Sequence, residues 1–193
     1  AEVVPGTAPE AVKALQEESF VGEAGDPEDM ETAVRGITII QPRTVLHFAE
    51  AAPEMIVALL RILRSNSVSV KPMLRNIRVI ASSEDCPSAV FQRPLHKIMT
   101  VPGGEGVDLE AGDVADESFA LYSKLLQLGK KSPESDSFVD MLGSTYKDYL
   151  PSDAKVLAFT ACDAITSVDE YLDIFAAPVR VPLAEEMVWP MRE

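Results

Sequence analysis

The chain has 193 residues, 47% of them hydrophobic and 25% charged, the balance of a protein that buries a core rather than one that stays disordered. Its net charge of −14 argues against nucleic acid as a main partner, because phosphate contacts need a basic face. No apolar run approaches the ~20 residues of a membrane span, no secretory signal is visible, and two cysteines with two histidines offer neither a disulfide framework nor metal-ligand spacing, so Cys86 and Cys162 are expected free and no metal is expected.

In chain order, Pro9 and Glu10 suit a first helical turn, and Val12 and Leu15 recur at helical spacing, so residues 8–20 read as a helix. A Gly- and acid-rich loop follows, with a helical turn expected over Met30–Val34. Gly36–Ile40 and Thr44–Ala49 are β-branched and apolar runs separated by Gln41-Pro42-Arg43, the pattern of a hairpin. Pro53 opens a helix whose stripe is Met55, Ile56, Leu59, Leu60 and Leu63. Ile77–Ala81 alternates as a third strand, and a Pro-containing loop with Cys86 and Phe91 leads to a fourth at Lys97–Val101. A strand before the first helix would lie upstream of Ala1, come from Glu2-Val3-Val4, or be supplied by a partner.

The charge is unevenly spread. Residues 1–35 carry nine acids against two bases, residues 36–102 four against eight, and residues 103–193 eighteen against seven. Gly103–Gly112 is the candidate boundary between an α+β core, residues 1–102, and an acidic, mostly helical extension, residues 103–193. Its glycines lack the Lys-Ser/Thr pair of a phosphate loop. In the extension, Phe119, Tyr122, Leu125 and Leu126 mark a helix, Phe138–Leu142 another, and Ser152 and Ser167 are N-caps of two more. Val179–Val181 and Met187–Trp189 read as extended.

The core order, helix–strand–strand–helix–strand–loop–strand, fits a sheet with helices on one face. Gly36-Ile37-Thr38, the run Val45-Leu46-His47-Phe48-Ala49-Glu50, the helix after it and Ile77-Arg78-Val79-Ile80 resemble the BLUF family of flavin-binding light sensors, which implies a ferredoxin-like fold. The chain resembles more closely the testis-expressed protein 47 family, BLUF-like proteins of motile cilia and sperm flagella, through Val45-Leu46-His47, Glu50 and the segment Glu186-Met187-Val188-Trp189-Pro190. The light sensors' chemistry does not carry over. Their flavin-binding Gln aligns with His47, their Asn aligns near Thr32, and no first-strand Tyr is assignable. His47 is thus a vestigial flavin-site position, and no cofactor is expected.

Nothing in the sequence supplies a nucleophile–base pair, so an enzyme is not expected. His47, on an apolar strand, reads as a histidine hydrogen-bonded to backbone, with titration near neutral pH or a residual ligand contact as the alternative, and the sequence supplies His96 with no acid–base partner. The resemblance implies a structural subunit of the axoneme of cilium or flagellum, in the cytoplasm, near the radial spokes or the central apparatus. Its partners would be larger axonemal scaffold proteins, with direct tubulin contact left open and neither nucleic acid nor membrane involved. The alternative is a flavin- or small-ligand-binding sensory module. Candidate interface residues are Trp189, Met187 and Val188, with Trp189 either an anchor or a lid on the core, and the bases Arg61, Arg64 and Arg75.

Overall fold

The computed structural model describes residues 1–21, 34–84, 86, 88–99, 109, 112–132 and 137–176. In chain order the elements are β1 (Glu2–Val3), α1 (Pro9–Val21), β2 (Arg35–Ile40), β3 (Val45–Glu50), α2 (Pro53–Ser67), β4 (Leu74–Arg75), β5 (Pro94–Ile98), α3 (Val114–Lys131), α4 (Ser137–Met141), α5 (Asp153–Ala161) and α6 (Val168–Phe175), with one 3-10 turn at Lys147–Tyr149. The architecture is mixed α+β, with small sheets and six helices among the described residues.

The hairpin forms where the sequence places it. β2 and β3 pair antiparallel from Arg35↔Glu50 to Ile40↔Val45, and Gln41 N–H donates to Thr44 O at 2.8 Å to close the turn. Gly36 is required there: its φ is +134°, and a Cβ would stand 1.9 Å from the Phe48 carbonyl oxygen. β5 adds to the other edge of β2, in parallel, giving the order β3-β2-β5. The strand ahead of the first helix is Glu2–Val3. It pairs antiparallel with β4 and touches the start of β3 through a bridge between Glu2 and Thr44.

Because side chains alternate across a strand, β2 feeds two cores. Ile37 and Ile39, with Leu46, Phe48 and Leu95, pack against Leu121, Leu125 and Leu128 of α3, Phe138 of α4 and Phe159 of α5. Ile40 and Val45 face the other way, among Val12 of α1, Leu59 and Leu63 of α2, and Leu172 of α6. The single helical layer expected of residues 1–102 is α1 and α2. Helices of the C-terminal part add a second layer on the opposite face, while α6 returns to the first. Gly129 lets α3 come close, since a Cβ there would lie 2.5 Å from a Val90 methyl and 2.9 Å from the Phe91 ring.

Ser152 caps α5 by accepting from Lys155 N–H, and Ser167 with Glu170 forms a full capping box on α6. The strand expected over Ile77–Ala81 is a correction. That segment makes only one bridge, Arg78↔Ser167, flanked by Val79 N–H to Thr166 O and Val168 N–H to Ile77 O. Its edge is taken by the α5–α6 connection, and the two residues that do join a sheet lie earlier, at Leu74–Arg75. The fourth strand begins three residues before the expected position. Pro94, which has no N–H to give, occupies its first residue, where a ladder tolerates it. Of the helical turn expected at Met30–Val34, Val34 is buried and non-helical, and Met30–Ala33 lie outside the described residues.

Candidate functional site

The register of the three-stranded sheet creates a polar row that no local pattern announces. Thr38 is paired with His47 on β3 and with His96 on β5, so all three stand side by side on the face that α1 covers. Gln16 comes down from α1 at 1% exposure and meets this row. His47 Nδ1 lies 2.8 Å from Gln16 Oε1 and 3.3 Å from Thr38 Oγ1, with Thr38 fully buried. Removal from water is the main reason the His47 pKa falls to about 3, with the neighbouring His96 and the amino group of Ala1 adding to it. Burial also lowers the pKa of His96, with Lys13 adding to the fall and Glu17 opposing it. Both rings are therefore neutral near pH 7.

A neutral imidazole against an amide and a closed-off hydroxyl is a packing arrangement, since a nucleophile must meet its substrate. The row does not suit a flavin either. His47 Nδ1 is engaged by Gln16, and α1 sits on that face with Val12 at 0% exposure. A bound ring would have to displace the helix side chains that fill the space. Among the described residues no group of three His, Cys, Asp or Glu side chains could hold a metal ion, and no helix is long and apolar enough to cross a membrane.

Three further polar nodes tie distant segments together. Asp153, fully buried at the start of α5, accepts from Arg43 Nε at 2.8 Å, from Arg43 N–H at 3.3 Å and from the Thr44 hydroxyl at 2.7 Å. Beside it Gln41 Nε2 donates to Pro151 O at 2.8 Å. Together they bind the β2–β3 turn to a helix about a hundred residues later. Glu50, at the end of β3, accepts from the backbone N–H groups of Val90 and Phe91 at about 3.0 Å. Arg78 reaches the C-terminal end of α5, donating to Thr160 O at 3.4 Å and Ile165 O at 2.9 Å, and pairs with Asp163 at 3.0 Å.

Of the basic residues singled out in the sequence, Arg64 pairs with Asp169 of α6 at 2.5 Å, and Arg75 pairs with Glu2, whose carboxyl it holds below the usual range. Arg61 is exposed on α2. The bases thus do not gather into one free patch; two of the three neutralise acids of neighbouring elements. Trp189, Met187 and Val188 lie outside the described residues, as does Thr32. Gln16 and Asp153 escaped the sequence reading. The available signals were a glutamine one residue from Leu15 on a helix's apolar side and an acid directly after a Ser cap.

A groove of about 570 Å³ lies between the extended segment 79–83, the start of α3 and the loop 164–166. Val79, Ile80, Tyr122 and Ile165 line it, together with Phe119, which is 69% exposed.

The fold and these nodes define a mixed α+β protein in which Asp153, Glu50 and Arg78 tie distant segments of the chain together. The family model described as testis-expressed protein 47 matches residues 12–177, and the chain belongs to that family. No curated protein matches it.

Proposed function

We propose that this protein is a non-catalytic structural and interaction subunit of the motile-cilium axoneme, associated with the radial spokes or the central apparatus. In this reading residues 1–102 keep a ferredoxin-like, BLUF-like ancestry with the flavin site lost. The chain order of helices and strands and the BLUF-like motif around His47 favour that ancestry. One observation carries the functional reading: the position that would recognise flavin is engaged from inside, by Gln16 and Thr38. Asp153, Glu50 and Arg78 follow the same pattern, each holding segments of the chain to one another.

A protein organised in this way acts through its surface. Its partners are larger scaffold proteins of the axoneme, and its place is the cilium or flagellum. Contact with an acidic tubulin lattice would be indirect, because like charges at an interface oppose association. Two measurements test the proposal. Purified protein should show no absorbance in the flavin bands and no red shift on blue illumination; a flavin spectrum would favour the sensory-module alternative. Affinity capture from detergent-stripped cilia should recover radial-spoke or central-apparatus components, and recovery of neither would end the axonemal reading.

A further inference from the structure

The segment Ile77–Ala81 has the alternation of a strand, yet only its first part is used as one. Val79 N–H donates to Thr166 O at 2.9 Å, and beyond it no backbone N–H of residues 80–84 is hydrogen-bonded among the described residues. Residues 81–84 are exposed. An extended backbone with unused amides is a template for strand addition. The groove runs alongside it, and its 570 Å³ falls within the size range of ligand pockets, room for a few apolar side chains. Phe119, with most of its ring in solvent, is the kind of aromatic that anchors a partner.

The charge around the groove selects the partner. Glu84, Asp113, Asp116 and Asp163 are exposed and adjoin the lining residues Ser83, Val114, Ala115 and Ala164, and no lining residue is basic. Asp163 is shared with Arg78; the described contacts give the other three no ion pair.

We infer that this groove takes an extended cationic peptide segment of a partner protein, added as a strand beside residues 80–84. Alternate apolar side chains enter between Phe119, Tyr122 and Ile165, and interleaved Lys or Arg side chains reach the carboxylates on the rim. Five paired residues extend about 17 Å. The inference deepens the interaction role proposed above by giving it a surface and a partner chemistry.

The test uses the full chain and a fluorescein-labelled peptide of alternating valine and lysine, with a valine–glutamate peptide as control. Fluorescence anisotropy should detect binding of the lysine peptide only, weakened at least tenfold by Asp116→Lys and by Phe119→Ser, both exposed positions. Hydrogen exchange should slow at alternate amides within residues 80–84, those on the edge that takes the added strand, when the peptide is added, which charge attraction alone would not produce. Equal binding of the glutamate peptide, no binding, or unchanged exchange at 80–84 would overturn the inference. So would self-association of the free protein abolished by Phe119→Ser, since the occupant would then be a second copy. Capture from cilia judges the axonemal role independently of these results.

Discussion

Replacing Asp153 by Ala tests whether the polar nodes hold the molecule together. The carboxylate is fully buried and accepts three hydrogen bonds, two from Arg43 and one from Thr44. Hydrogen bonds to a charged group contribute about 1.5–3 kcal/mol each, and breaking a buried ion pair costs about 3–5 kcal/mol. Three features reduce that figure. The Arg43 side chain is 54% exposed and can turn to water, and the Thr44 hydroxyl also donates to Gln41 Oε1 at 2.9 Å, an acceptor that remains in the variant. Removing the carboxylate also ends its own desolvation penalty. The expected loss is about 2–4 kcal/mol, which for a chain of this size lowers the melting temperature by roughly 4–16 °C. Urea unfolding and a thermal melt read the change. The double variant with Arg43→Ala should lose less than the sum of the two singles, because both remove one interaction. A loss below 1 kcal/mol, or strict additivity, would refute the idea that the turn and α5 are held through this carboxylate.

Leu59, 4% exposed on α2 within the core shared with α6, should cost about 2–5 kcal/mol when changed to Ala, measured by urea unfolding. His47 predicts an acid limb in stability. Its folded pKa of about 3 lies below the ordinary 6.5, so the unfolded chain binds the extra proton between those values and stability falls as pH drops through that window. At pH 4.5 the loss relative to pH 7 is about 2–3 kcal/mol, and His47→Gln, which stays neutral, should flatten that limb in melts taken from pH 7 to 4. Gly129→Ala should destabilise by about 1–3 kcal/mol in the same melts despite alanine's better helix propensity, because the new methyl meets Val90 and Phe91.

What could be read from the sequence follows the range of the interactions involved. The hairpin and α2 have strong local periods, and the Ser152 and Ser167 caps have local chemistry, so each appears where its residues place it. Ile77–Ala81 carries the alternation of a strand, but whether a strand joins a sheet depends on its neighbours, and this one meets the loop before α6. The row Thr38–His47–His96 was hidden because β5 pairs in parallel with β2 from more than fifty residues away, a register that no local signal encodes. His47 was found by resemblance, whereas its partner Gln16 required knowing which face of α1 meets the sheet. The basic residues were visible, but their neutralisation by Glu2 and Asp169 was not.

The two-faced use of β2 has a consequence for synthesis. β2 and β3 are complete by residue 50, yet the helices that cover their opposite faces end with α5 at Ala161 and α6 at Phe175. At a translation rate of roughly 5–20 residues per second, the interval between the hairpin leaving the ribosome and α6 following it is on the order of 6–25 s. For most of that time, until α5 is complete after roughly 6–22 s, Ile37, Ile39, Leu46 and Phe48 lack the full cover of α3, α4 and α5. A nascent hairpin with an open apolar face is a client for chaperones and a hazard for aggregation. Damage to the last helices should therefore show first as lost protein rather than as lost binding.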